Sequence, residues 1–138
     1  MIYLDANVFA FANLNTQGVG EAARSLLKDV QSGKVEAATS TLSFDELTWA
    51  VKKNRSPEDS IVAGEAFLNM PRLKLVEVDA DLLAGALKVM KEYSLDPRDS
   101  IHAASAMKEG AAVVVSTDKH FERIKELRRR DLAGGSGR

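Results

Sequence analysis

The chain has 138 residues, 45% of them hydrophobic and 28% charged, which suits a single domain with one core. Its 19 Lys and Arg against 20 Asp and Glu exert no global pull toward nucleic acid or membrane, and the absence of cysteine excludes disulfides, thiolate zinc sites and cysteine nucleophiles together. No apolar run is long enough to span a bilayer and no leader-like segment precedes the first strand, so the expectation is a soluble cytoplasmic protein without a membrane partner.

The chain opens on Ile2-Tyr3-Leu4, a short apolar run that stops on Asp5 and suits a strand buried on both faces of a parallel sheet. Residues 6–14 predict a short helix, and 15–20 a turn rich in Asn, Thr and Gly. Ala22, Ala23, Leu26, Leu27 and Val30 recur at helical spacing before Gly33, a C-terminal stop. A second strand fits 35–39, and a helix running to about Asn54 carries Phe44, Leu47 and Val51 on one stripe. Ser56-Pro57-Glu58-Asp59 starts a further helix that ends before Pro71. That helix bears Ile61, Val62, Ala66, Phe67, Leu68 and Met70, more apolar cover than one core-facing stripe requires. Residues 73–78 make a third strand, and Asp79 caps the amphipathic helix of Leu82, Leu83, Ala86, Leu87, Met90 and Tyr93. Asp96-Pro97-Arg98-Asp99 starts the alanine-rich helix to Gly110, with Asp96 as its cap. Residues 111–116 form a second fully apolar strand, followed by a helix carrying Phe121 and Ile124 and an edge strand within 128–132. The domain is expected to span 1–131 and to leave 132–138 as a flexible tail. Strands alternating with helices imply an α/β fold with right-handed crossovers on a parallel sheet.

Four carboxylates, Asp5, Glu46, Asp99 and Asp118, fall where a strand ends or a helix begins. Ser43-Phe44-Asp45-Glu46 also matches a capping box, Asp99 sits in a first helical turn, and Asp118 suits an N-cap. Convergence of the four points beyond caps. Two carboxylates about 4 Å apart repel by roughly 4 kcal/mol at an effective dielectric of 20, against about 1 kcal/mol for a cap. A cation is the natural partner, and with no cysteine and only two histidines an oxygen-rich ligand set favours Mg²⁺ or Mn²⁺ over zinc. His102, among alanines, is expected to be a packed residue; His120 stands near enough in sequence to approach the site.

These residues resemble the PIN-domain family, and especially its small VapC-type toxins. Leu4-Asp5-Ala6-Asn7 is similar to the first motif, the stretch around Glu46 to the second, that around Asp99 to the third, and Ser116-Thr117-Asp118-Lys119-His120-Phe121 to the fourth. The resemblance implies a three-layer α/β/α sandwich around a mainly parallel twisted sheet. It further implies a Mg²⁺- or Mn²⁺-dependent endoribonuclease, a homodimer, and inhibition by a cognate antitoxin. Asp5, Asp99 and Asp118 would hold the ion, with Glu46 as a ligand or orienting the attacking water. Where some members carry a further acid two residues after the last motif's aspartate, this chain has His120.

Asn7 and Thr117 are candidates to hydrogen-bond a carboxylate or phosphate. Lys119, Arg123, Lys125, Arg128, Arg129 and Arg130 form a local basic excess suited to RNA phosphates. A cluster of four acids also invites an inserted Arg or Lys from an antitoxin. Three alternatives share these features: a PIN-type RNA-processing nuclease outside a toxin pair, a catalytically silent PIN-like interaction module, and an aspartyl-phosphate phosphatase. The last usually needs an acid two residues after the first aspartate, where this chain has Asn7.

Overall fold

The computed structural model describes residues 1–133. Five parallel strands, β1 (Ile2–Leu4), β2 (Ala37–Ser40), β3 (Leu73–Val76), β4 (Val113–Val115) and β5 (Arg128–Arg130), form one twisted sheet in the order β3-β2-β1-β4-β5. Helices α1 (Ala6–Leu14), α2 (Val19–Gln31), α3 (Leu42–Asn54), α4 (Pro57–Leu68), α5 (Ala80–Tyr93) and α6 (Pro97–Lys108) cover its faces, and a 3₁₀ turn (Lys119–Arg123) precedes β5.

Side-chain alternation along the strands explains the layers. Tyr3 and Val114 pack with Leu82, Ala86 and Val89 of α5 and Ala103 and Ala106 of α6. Their neighbours Leu4 and Val115 point the other way, onto Val8, Phe9, Ala23, Leu27, Leu47, Val51, Ala63 and Phe67 of α1 to α4. Both faces of β1 and β4 are therefore buried, as expected of central parallel strands. The result is the α/β/α sandwich.

Local chemistry sets the boundaries. The Ser56 hydroxyl accepts the Asp59 N–H at 3.0 Å, and the Asp79 carboxylate accepts the Leu82 N–H at 2.9 Å, so both expected caps form. Gly20 lies so close to the end of α1 that a Cβ there would sit 2.0 Å from the Asn15 carbonyl oxygen. Only glycine lets α2 start at this point.

Three expectations need correction. Asp96 stands at the N-cap of α6 but its side chain makes no cap bond, and Pro97 presets the first turn. The helix expected through Phe121 and Ile124 is a 3₁₀ turn ending at Arg123, with Phe121 and Ile124 both buried beneath it. Leu132, assigned to the tail, is buried against the α1 to α4 core, so packing extends past 131. The rest of the expected tail, 134–138, lies outside the described residues.

Strand order reverses at β1. The chain builds β1, β2 and β3 outward in one direction, then crosses back to place β4 and β5 on the other side. The carboxyl ends of β1 and β4 therefore flank a topological switch point, where open α/β sheets bind ligands. Asp5 follows β1 and Asp118 lies three residues beyond β4. Among the described residues no helix is long and apolar enough to cross a membrane.

The basic run is divided by β5. Arg129 is 4% exposed; its Nε donates to Glu122 Oε2 at 2.9 Å and its Nη1 to the Ser116 carbonyl at 2.8 Å. It is thus a buried tie between β5 and the loop after β4, and leaves the set of groups free to meet RNA phosphates. Arg128 stays exposed. Arg129→Ala is expected to destabilise the fold by about 1–3 kcal/mol, the cost of leaving a buried carbonyl unpaired, whereas Arg128→Ala should stay within about 0.5 kcal/mol of wild type in denaturant melts.

Candidate active site

Asp5 is only 6% exposed, and three groups hold its carboxylate. Oδ1 accepts the Ala6 N–H at 2.7 Å and stands 3.6 Å from His102 Nε2, while Oδ2 accepts the Ser116 hydroxyl at 2.6 Å. Burial raises the Asp5 pKa and the Glu46 charge adds to this; His102, Ser116 and the Ala6 N–H pull against it. The Ser116 hydroxyl oxygen also accepts the Asp118 N–H at 2.9 Å. One serine thereby sets both the acid after β1 and the acid after β4.

Glu46 and Asp99 reach the same edge from α3 and α6. Glu46 Oε1 lies 2.6 Å from His102 Nε2, and His102 Nδ1 lies 2.7 Å from the Tyr3 hydroxyl. His102 is 1% exposed, so a packed residue was correctly anticipated; its bonds at both ring nitrogens were not. Burial lowers its pKa, but the hydrogen bond with Glu46 and the charges of Asp5, Glu46 and Asp99 outweigh that and raise it overall. Burial pushes the Tyr3 phenol well above its ordinary range, so it remains a neutral hydroxyl. The capping box does not form: α3 begins at Leu42, and the buried Ser43 hydroxyl pairs with Thr39 Oγ1 at 2.7 Å. Glu46 is released for the site.

Asp99, Asp118 and His120 each present a ligand atom within 4.8 Å of the others. His120 Nδ1 is 3.1 Å from Asp118 Oδ1 and 3.4 Å from Asp99 Oδ2. Asp118 also caps the 3₁₀ turn, its Oδ1 accepting the His120 N–H at 2.8 Å, so the expected cap forms within the acidic cluster. Burial, then the neighbouring Asp118 charge, raises the Asp99 pKa; the hydrogen bond from His120 opposes this. Asn7 Nδ2 donates to Thr117 Oγ1 at 3.0 Å and to Ser116 Oγ at 3.3 Å. Asn7 and Thr117 thus bond each other, and Asn7 also bonds Ser116, without a bond to a carboxylate. The buried Asn7 Oδ1 has no partner among the described residues.

The expected acids converge as two linked groups, Asp5 with Glu46 through His102, and Asp99 with Asp118 through His120. Oxygen-rich donors, two carboxylates with raised pKa values and an orphaned amide oxygen behind them fit a divalent cation. Three participants escaped sequence reasoning. His102 lies three residues after Asp99, hence on the same helical face, a spacing that a merely packed histidine would share. Ser116 is the first polar residue after β4. Arg98 lines two clefts beside the acids, one of about 460 Å³ shared with Glu46, Asp96 and Asp99, and one of about 250 Å³ shared with Asp45, Glu46 and Trp49.

The PIN domain family matches residues 2–127 of the chain. Among solved structures, VapBC from Salmonella typhimurium bound to DNA is 25% identical, with a TM-score of 0.73 over 95% of this chain and 97% of that one. VapBC2 from Rickettsia felis, bound to a DNA fragment from its promoter, is 22% identical with a TM-score of 0.73 over 95% and 98% of the two chains. The sarcin-ricin loop cleaving toxin VapC20 of Mycobacterium tuberculosis is 17% identical, again at 0.73, over 88% and 93%. No curated protein matches the chain.

The metal-free acids make a pH prediction. A carboxyl whose folded pKa is raised contributes fully below its unfolded pKa, and that contribution is lost as pH rises through the folded pKa. In EDTA, Asp99→Asn should therefore melt at or above wild type, with a gap that opens as pH rises above about 4, the ordinary carboxyl range. Adding Mn²⁺ should stabilise wild type and leave the variant nearly unmoved. A variant clearly less stable in EDTA at neutral pH would make Asp99 a mainly structural residue.

Proposed function

The chain belongs to the PIN-domain family, and from that premise we propose a Mg²⁺- or Mn²⁺-dependent endoribonuclease that cuts single-stranded regions of RNA as the toxin of a toxin–antitoxin pair. The observation that supports this reading is the approach of Asp5 and Glu46 to His102, and of Asp99 and Asp118 to His120, with Arg98 on the cleft wall beside Glu46 and Asp99. Acids without a neighbouring cation would repel a phosphodiester. The exposed Arg98 beside Glu46 and Asp99, and Lys119 next to Asp118, would offset that repulsion.

Asp99 and Asp118 would hold the ion, with Asp5 and Glu46 facing it directly or through water. When bound, such an ion lowers the pKa of a coordinated water and neutralises charge developing on the phosphate. The chain's own groups do the rest. Ser116 and the Ala6 N–H fix both oxygens of Asp5, so its carboxylate cannot swing away. His102 engages Oε1 of Glu46 and leaves Oε2 without a protein hydrogen bond among the described residues, able to orient a water and take its proton.

The toxin assignment draws on the family and on electrostatics: an antitoxin could silence this site by inserting one Arg or Lys between the carboxylates. The VapBC2 and Salmonella VapBC structures are of complexes bound to DNA, which favours a partnered role over housekeeping RNA processing. A homodimer is supported by Ile61, Val62 and Leu68, more than half exposed on α4 while Phe67 of the same helix is core. Such a protein would act in the cytoplasm, where its RNA is.

Single-stranded RNA should be cleaved with Mn²⁺ or Mg²⁺ and spared in EDTA. Asp5→Asn, Glu46→Gln, Asp99→Asn and Asp118→Asn should each lower the rate at least about a hundredfold, the scale of general-base and electrostatic contributions. Expressed alone, wild type should arrest growth and run as a dimer by light scattering, while Asp5→Asn should leave growth intact. Equal arrest by both proteins refutes a nuclease toxin.

A further inference from the structure

His120 lies two residues beyond Asp118, and its ring nitrogen stands beside both Asp118 and Asp99. Asp118 folds the chain back by accepting the His120 N–H, a two-residue turn that directs the ring toward the acids. Nδ1 then lies 3.1 Å from Asp118 Oδ1 and 3.4 Å from Asp99 Oδ2. Ligands about 2.1–2.2 Å from an octahedral ion stand roughly 3 Å from their neighbours, so these separations are close to those of adjacent ligands on one ion. The ring is half exposed and makes no other hydrogen bond among the described residues. Its burial therefore gives no separate reason for its placement.

We propose that His120 ligates the ion through Nδ1 beside Asp99 and Asp118, making this a mixed nitrogen–oxygen site that prefers Mn²⁺ and related first-row transition ions to Mg²⁺. The proposal rests on the metal-dependent reading above and narrows it. Mg²⁺ is a hard ion that dehydrates reluctantly and takes oxygen, whereas imidazole suits the later first-row ions such as Fe²⁺, Ni²⁺ and Zn²⁺. Mn²⁺ shares the oxygen preference of Mg²⁺ but accepts a nitrogen ligand more readily than Mg²⁺ does. Replacing one carboxylate by a neutral imidazole also reduces the negative charge that would hold a fully hydrated Mg²⁺. Asp5 and Glu46, held by Ser116 and His102, remain as oxygen partners across the site.

The test is Mn²⁺ binding to the full chain, followed by pulsed electron paramagnetic resonance for nitrogen coupled to the ion and by calorimetric competition with Mg²⁺. Wild type should show one imidazole nitrogen. The signal should vanish in His120→Gln, with Mn²⁺ bound at least about tenfold more weakly, since even groups behind a ligand act on that scale. His120→Asp should keep divalent binding but lose the nitrogen signal and shift the Mn²⁺ to Mg²⁺ affinity ratio toward Mg²⁺ by at least about tenfold. Thermal melts in EDTA check that each variant folds. Mn²⁺ bound without nitrogen coupling, or an unchanged ratio in His120→Asp, overturns the ligand assignment while leaving the nuclease reading in place. A nitrogen signal that survives in His120→Gln overturns it too, because the only other histidine is His102. Failure of wild type to bind either ion overturns both.

Discussion

A carboxylate buried at the end of a central strand is the constraint from which the rest follows. Asp5 is 6% exposed, and an ion taken so far from water is costly unless its oxygens are met by donors. Three groups from three parts of the chain meet it: the N–H that opens α1, the Ser116 hydroxyl after β4, and the His102 ring on α6. Each of these also positions something else. The turn into α1 brings Asn7 beneath the acids, Ser116 anchors Asp118, and His102 holds Glu46.

His102 solves a problem created by the layers. Glu46 is carried on α3, which packs on one face of the sheet, while His102 belongs to α6 on the other. Their hydrogen bond joins the two helical layers across the carboxyl edge of the sheet, and the Tyr3 hydroxyl fixes the ring from within the core. A rigid scaffold is thereby extended to a glutamate that would otherwise rest on a solvent-facing helix turn. Outer partners of this kind set the orientation of groups that hold a metal.

The strands, the caps at Ser56 and Asp79 and the four acids could be read from sequence because each leaves a local pattern: an apolar run that stops, a proline after a serine, an acid at a boundary. The proline at 97 leaves the same pattern, but Asp96 before it makes no cap bond whereas Ser56 before Pro57 does, so sequence places the helix start without settling the cap. Arg129 was misread with its neighbours for a different reason. A run of three arginines looks uniform in sequence, yet in a strand alternate residues face opposite ways, and the middle one is buried. His102 and Ser116 left no local pattern that distinguishes a packed polar residue from one that orients a carboxylate. Their roles depend on strand order, which joins β1 to β4 from more than a hundred residues away.

The same dependence explains why a cap and a place in the acidic cluster need not compete at Asp118. One of its oxygens accepts the N–H of His120, which satisfies a turn donor and at the same time brings the imidazole toward Asp99. A cap elsewhere in the chain, such as Asp79, does no more than start a helix. At Asp118 the identical local bond is placed at a switch point beside two other acids, and its consequence changes from closing a turn to arranging ligand atoms. The local chemistry of an aspartate before a turn is therefore common to both positions, and the topology of the sheet decides which one stands among other acids at the carboxyl edge of the strands.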